Sequence, residues 1–187
     1  MGISLQKGDY VSLSKSAGLS LNKVRVDLNW GLPQNFDLDA VAFCLNWNGQ
    51  VLNDEGFIFY GNKTGLDGSI QHCGDCQVGN SQGEKIEVTL KSVPPNIVRI
   101  AFCVSIHEGE ILGQNFGQLS KGSVCITNLE TDEIIATYDL SQDMSNESTM
   151  IFAEVYLRNE EWKFKAVGKG FHGGLGPLAT SYGVNIE

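Results

Sequence analysis

Short runs rich in β-branched and aromatic residues, separated by turn residues, follow one another along almost the whole chain. The runs are YVSLSK, KVRVDLNW, LDAVAFCLN, GFIFYG, KIEVTLK, IVRIAFCVSIH, SVCITNL, EIIATYDL, MIFAEVYLR and EWKFKAVG. Such runs predict strands, and turn segments such as NWNGQ, VPPN and RNEE are of hairpin length. The pattern predicts an all-β, mainly antiparallel fold, a two-sheet β-sandwich with a short C-terminal helix around GPLATSYG.

Size and charge limit the possible functions. The 187 residues contain no linker or repeat, so residues 1–187 are predicted to form a single domain. The net charge of −9 and the absence of an evident basic patch argue against nucleic acid as a partner and suit cation binding. No apolar run approaches the roughly 20 residues that span a bilayer, and the N-terminal stretch has no apolar signal segment. We therefore expect a cytoplasmic protein without direct membrane insertion.

The segment NFDLDAVAF, residues 35–43, carries two aspartates where a core strand should have none. Strand alternation puts Asp37 and Asp39 in one row with Val41 and Phe43, which we expect to be an inner row. Backbone N–H groups or salt bridges could hold these carboxylates, and so could a bound cation.

A second oxygen-rich segment, HCGDCQVGNSQGE (72–84), is predicted to be a polar, glycine-rich loop that offers Asp75, Asn80 and Glu84. Glu84 shares the parity of Ile86 in the following strand, so it should face the core. Clustered carboxylate and amide oxygens without Lys or Arg suit Ca²⁺, which takes 6–8 oxygen ligands. If the loop meets the aspartate strand, the two segments predict a calcium site.

Other chemistry has weaker support. Cys73 and Cys76 form a C-x-x-C pair, but structural zinc would need two further ligands, and a redox role would need a helix. His107 fits a hydrogen-bonded histidine at a loop edge. No set of nucleophile, base and orienting group is evident, so the sequence predicts a protein that is not an enzyme. A metal-dependent phosphoester enzyme using the same carboxylates remains an alternative.

The chain resembles the TerD family of tellurium-resistance and general stress proteins. The motifs that carry the resemblance include MGISLQKGDYVSLSK, FDLDAVAF, FIFYGN, DGSIQHCGD, SIHEGEILGQNFGQL, YDLSQDMSNESTMIFAEVY and EWKFKAVGKGFHGGL. The resemblance implies a β-sandwich that binds calcium between the aspartate-bearing strand and the Gly-Asp loop, and it implies no established enzymatic reaction.

Residue by residue, the resemblance assigns Asp37 and Asp39 to the family's Asp-Leu-Asp and Asp75 to its Gly-Asp-Asn loop, with Asn62 as a weaker match. This chain departs from the family where Cys76 replaces the loop Asn and where Gly31 replaces another carboxylate. Fewer anionic ligands should weaken the binding of calcium. We therefore expect one site instead of two, or weaker sites.

The sequence thus predicts a calcium-binding, non-enzymatic stress-response protein, with a divalent cation and other stress-response proteins as candidate partners. The alternative is an interaction or scaffold module whose metal site is weakened or vestigial.

Overall fold

The strands that the sequence predicts form two packed sheets in a computed structural model, which describes residues 2–14, 21–31, 35–78 and 81–186. In chain order the strands are β1 (Ile3–Leu5), β2 (Tyr10–Ser12), β3 (Lys23–Gly31), β4 (Leu38–Leu45), β5 (Phe57–Ile58), β6 (Thr64–Gly65), β7 (Ile70–Val78), β8 (Ser81–Thr89), β9 (Arg99–Ile106), β10 (Gly122–Asn128), β11 (Glu133–Asp139), β12 (Thr149–Arg158) and β13 (Glu161–Phe171). The helices are α1 (Gly109–Leu112) and α2 (Leu175–Ser181). Neither helix of the described residues is long and apolar enough to cross a bilayer.

One sheet has seven strands in the order β1-β11-β10-β3-β8-β7-β6, and the other has six in the order β2-β13-β12-β9-β4-β5. Within the described ranges, the ladders between these strands are antiparallel except the parallel pairing of β1 with β11. The predicted two-sheet β-sandwich is therefore confirmed.

Alternation along the strands builds the core between the sheets. In β3, Val24, Val26 and Leu28 are fully buried, and they pack with fully buried rings from the other sheet such as Phe102 and Phe152. Burial of this apolar surface is the main favourable term that holds the two sheets together.

Strand β4 is buried on both faces, which explains its continuous apolar sequence. Its even-numbered residues from Leu38 onward enter the core between the sheets. Val41 and Phe43 belong to a second cluster, together with Leu178 and Ala179 of α2. The row that continues from Asp39 therefore faces α2 on the outside of the six-stranded sheet, and our expectation that it is an inner row is wrong.

Two local predictions are confirmed and one is corrected. The predicted β12–β13 hairpin turns at Asn159 and Glu160, which both have positive φ, as a type I′ turn requires. The predicted C-terminal helix is α2. Residues 72–84, however, do not form a loop, because β7 and β8 carry the ladder through most of this segment as a hairpin.

Candidate functional site

A cavity of about 550 Å³ opens where the start of β4 approaches the far end of the β7–β8 hairpin. Its lining is dominated by polar and acidic side chains: Trp30, Asp37, Leu38, Asp39, Tyr60, Asp75, Cys76, Gln77, Gln82, Gly83 and Glu84. None of these described lining residues is a lysine or an arginine. The two acidic segments, distant in sequence, therefore meet in one acidic cavity.

A β-bulge in β7 decides which side chains of the hairpin face this cavity. His72 pairs with Ile86 and Asp75 pairs with Glu84, so the register shifts between His72 and Asp75. Gly74 lies in the bulge with φ +81°, a conformation that favours glycine. The extra residue puts His72 and Asp75 on the same face of the hairpin, next to the inward-facing Glu84.

Glu84 and His72 form a hydrogen-bonded clamp between the two sheets. Oε2 of Glu84 accepts the backbone N–H of Ala40. Nε2 of His72 lies 3.1 Å from the Ala40 carbonyl oxygen and 3.2 Å from Oε2 of Glu84. Nδ1 of His72 accepts the N–H of Gly74 at 3.0 Å, so the ring proton that is donated sits on Nε2. The bulge thereby fixes the tautomer of the histidine.

The clamp satisfies backbone groups that the sheet leaves open. β5 pairs with β4 at Ala42 and Phe43, beyond Ala40, so the side of Ala40 that faces away from β9 has no strand partner in the described part of the chain. His72 and Glu84 are 2% and 3% exposed, and an unpaired backbone group next to them would be costly. The two side chains thus replace a missing strand at the edge of β4.

The carboxylates of the cavity repel one another. Desolvation, together with the charges of Glu84, Asp37 and Asp75, raises the pKa of Asp39 to about 6, and His107 opposes the shift. His107 is held close because its N–H donates to the carbonyl oxygen of Asp37 at 2.7 Å. At neutral pH, the metal-free cavity therefore concentrates negative charge that the lining residues do not neutralise.

This repulsion predicts a pH dependence of the stability of the metal-free protein. The folded-state pKa of Asp39 is raised above its unfolded value, so between about pH 4 and pH 6 the folded state binds more protons. The contribution of Asp39 is therefore favourable at low pH and is lost as the pH rises through about 6. We expect Asp39→Asn, measured by thermal melting in chelator, to raise the melting temperature more at pH 7 than at pH 4.5. The exposed Asp54→Asn should show no such difference, and an equal effect of Asp39→Asn at both pH values would contradict the prediction.

The structure brings together four of the six predicted metal-site residues. Asp37, Asp39, Asp75 and Glu84 line the acidic cavity. Asn62 does not line it: its carboxamide donates to the carbonyl oxygen of Phe57 at 2.7 Å, and the residue lines a separate cavity of about 450 Å³. The predicted ligand Asn80 lies outside the described residues.

Sequence reasoning did not single out two residues of the site. The first is His72, for which the one available signal in the sequence is its parity with Ile70, a residue buried in β7. Trp30 lines the cavity at 3% exposure, and its Nε1–H has no hydrogen-bond partner among the described residues. A buried donor of this kind is normally satisfied by a water or a ligand oxygen.

The C-x-x-C pair lies in β7 beside the bulge, and Cys76 is one of the residues that line the acidic cavity. Cys73 is exposed, Cys76 is half-buried, and both are free thiols whose pKa is raised mainly by burial. In the described part of the chain, no group of three or more His, Cys, Asp or Glu side chains is arranged to hold a metal ion. The pair therefore gains no further ligands that would make it a zinc site.

The acidic cavity offers donor atoms of the kind that a hard cation takes, but no three of its described carboxylates are arranged to hold one. Asp37 and Asp75 are exposed and Asp39 is half-buried, so their oxygens are accessible. Oε2 of Glu84 is already engaged in the clamp. Carboxylate oxygens without a neighbouring cationic side chain are the donors that Ca²⁺ takes, with water completing a flexible shell.

Comparisons with known proteins agree over the whole chain. A family model described as the TerD domain matches residues 1–182. The chain is 44% identical to a tellurium resistance protein TerD from Serratia marcescens and 42% identical to general stress protein 16U from Bacillus subtilis (strain 168). Each alignment covers 100% of both chains.

A similar fold is found in a solved structure. The crystal structure of a homologue of telluride resistance protein from Streptomyces coelicolor A3(2) superposes with a TM-score of 0.67 at 19% identity. The match covers 86% of this chain and 96% of that one. At this identity the likeness concerns the fold.

Proposed function

This protein belongs to the TerD family, and we propose that it is a non-enzymatic stress-response protein that binds Ca²⁺ in the acidic cavity. The observation that carries the proposal is the meeting of Asp37, Asp39 and Asp75 in a cavity with no described lysine or arginine in its lining. The pKa of Asp39 is raised because burial and the neighbouring carboxylates disfavour its charged form when no cation is bound. Relatives named for tellurium resistance and general stress support the biological setting.

In this proposal, the three aspartates supply carboxylate oxygens, and Glu84 and His72 position them. A bound cation would neutralise the repulsion between the start of β4 and the hairpin and would join these two segments. Because the cation binds the folded state, it stabilises the fold by mass action. The chain's own contribution is the clamp on Ala40, which holds β4 against β7 and β8.

We expect Ca²⁺ to raise the melting temperature of the chelator-treated protein, and Mg²⁺, which demands a stricter octahedron, to raise it less. Asp39→Asn combined with Asp75→Asn should abolish the calcium shift. Asp54→Asn combined with Asp67→Asn, two exposed acids outside the cavity, is the matched control and should keep the shift. The absence of a calcium-dependent shift in the unaltered protein, or a shift that survives the double substitution in the cavity, would overturn the proposal.

The absence of catalysis is part of the proposal and rests on how His72, the histidine next to Glu84, is used. Both ring nitrogens of His72 take part in hydrogen bonds to backbone groups, so neither is available to take a proton from a substrate. The five cysteines are free thiols, in keeping with the reducing cytoplasm in which we propose that the protein acts.

A second candidate function is an interaction module for other stress-response proteins, with a weakened metal site. The observation that favours this function is that the carboxylates of the described residues line the cavity but do not converge on one point. Titration calorimetry separates the two functions. Stoichiometric, calcium-specific heat favours the calcium-binding protein, and heat of similar size and affinity with Ca²⁺ and Mg²⁺ favours the interaction module.

A further inference from the structure

A second cavity, of about 370 Å³, lies at the opposite end of β4 from the acidic cavity. Its lining is rich in cationic and aromatic side chains and comprises Asn46, Trp47, Gly49, Val98, Arg99, Glu154, Tyr156, Leu157, Arg158 and Lys165. We call it the cationic groove. It holds three positive side chains against one carboxylate, in a chain whose net charge is −9.

The strand order of the six-stranded sheet creates this groove. Arg99 at the start of β9 is paired with Tyr156 of β12, and Glu154 of β12 is paired with Lys165 of β13. Arg99 is distant in sequence from Arg158 and Lys165, which lie on one hairpin, and this is why the sequence showed no basic patch. The expectation that no such patch exists is therefore wrong for this face. Three cations are too few to follow a nucleic-acid backbone, so a nucleic-acid partner is still not expected, and this stays a prediction.

The wall formed by the turn after β4 is held in place by hydrogen bonds. Oδ1 of Asn46 accepts the N–H groups of Asn48 at 2.9 Å and Gln50 at 3.1 Å. A Cβ atom built on Gly49 would lie 3.1 Å from Nη2 of Arg99, so the guanidinium lies directly against this turn. Trp47, at 77% exposure, is carried on the turn at the mouth of the groove. Trp47 therefore exposes a large apolar side chain to solvent beside three cations, which is unusual for an ordered loop without a binding role.

Glu154 compensates only part of the positive charge. Glu154 lies 3.9 Å from Nη1 of Arg99, a long contact, and it is also the residue directly across the β12–β13 ladder from Lys165. Arg158 is exposed. Glu161, across the β12–β13 ladder from Arg158, does not line the groove. The described lining therefore carries two more positive than negative charges, which matches a phosphate dianion better than a single carboxylate.

We propose that the cationic groove binds a phosphate group, with Arg99, Arg158 and Lys165 on its oxygens and Trp47 against the organic part of the ligand. Arginine presents a planar fork of N–H donors suited to phosphate, and lysine adds a point charge. The phosphate could belong to a free phosphorylated compound or to a phospholipid headgroup. This site is separate from the acidic cavity and does not depend on calcium binding.

The test uses two probes in calcium-free buffer: inorganic pyrophosphate, and vesicles of phosphatidylcholine with or without phosphatidylglycerol. We expect saturable binding of at least one phosphate probe, seen by calorimetry or vesicle sedimentation and by a change in Trp47 fluorescence that is absent in Trp47→Phe. Lys165→Gln should weaken binding by about tenfold, the change that corresponds to one hydrogen bond to a charged group. Glu154→Gln should strengthen binding, because it removes the competing carboxylate.

Matched controls carry the same charge changes elsewhere on the surface: Lys91→Gln for Lys165→Gln, and Glu133→Gln for Glu154→Gln. Binding of pyrophosphate would indicate that the ligand of the groove is a free phosphate compound. Binding only of the vesicles with phosphatidylglycerol would indicate that it is a phospholipid headgroup. Failure of both probes to bind would overturn the proposal. An equal loss of binding in Lys91→Gln and Lys165→Gln would also overturn it, because attraction would then reflect total charge.

Discussion

Phe43→Ala is expected to lower the free energy of unfolding by about 3–5 kcal/mol, the usual cost of deleting a buried phenyl ring and leaving a cavity. Phe43 is fully buried in the cluster between the six-stranded sheet and α2. Its ring stacks on Phe57 at 4.8 Å between centroids with 5° between planes, and it meets Tyr182 at 4.8 Å and 48°. The single substitution removes both aromatic contacts, so little remains to fill the space.

The position of Phe43 also determines where the protein should loosen. Denaturant titration gives the total loss of stability, and hydrogen exchange should show the largest loss of protection in α2. Phe102→Ala, in the core between the sheets, should cost a similar free energy without this preference for α2. Ile111→Ala, at 83% exposure, should change stability by less than about 0.5 kcal/mol. If Phe43→Ala lowered the free energy of unfolding as little as Ile111→Ala does, the packing described for Phe43 would be contradicted.

Periodicity was sufficient to predict the sandwich because it depends on local alternation. The parity argument that linked Glu84 to Ile86 is confirmed, since both are buried on the same face of β8. The same argument failed for Asp39 because β4 is buried on both faces. Its two apolar rows look equivalent in sequence, and only the position of α2 distinguishes them.

The parts of the site that escaped prediction depend on contacts between distant segments. The bulge at Gly74 shifts the pairing by one residue, and the polar, glycine-rich sequence there gives no alternation from which to detect it. The contact of His72 with Ala40 joins residues 32 positions apart in different sheets. The cationic groove likewise requires the order of β9, β12 and β13. Side-chain types suggested the acidic cavity, but topology determines its walls.

Loss of the Glu84 side chain is expected to lower the stability of the fold, although Glu84 lies beside other carboxylates that repel its charge. Its charge raises the pKa of Asp39, which is unfavourable at neutral pH. Against this, its Oε2 accepts the N–H of Ala40 and lies 3.2 Å from Nε2 of His72, both in a buried setting. An unsatisfied buried donor costs about 1–3 kcal/mol, so loss of the carboxylate should outweigh the relief of repulsion.

Glu84→Ala should therefore lower the free energy of unfolding by about 3 kcal/mol, because it leaves the Ala40 N–H without an acceptor and weakens the hold on His72. Glu84→Gln keeps an acceptor oxygen and removes the charge, so it should cost less and should lower the pKa of Asp39. Denaturant titration measures the stabilities, and hydrogen exchange at the Ala40 amide reports on the clamp directly.

Glu87→Ala is the matched control, because Glu87 lies on the same strand and its carboxylate pairs with Lys23 at 2.9 Å on the half-exposed outer face. That substitution should cost less than about 1 kcal/mol. If Glu84→Ala proved no more destabilising than Glu87→Ala, or left the Ala40 amide fully protected, the backbone of β4 would be held by something other than the clamp. The presence of Asp39 and Asp75 in one cavity would then have to be explained by the packing of Leu38 and Ala40 alone.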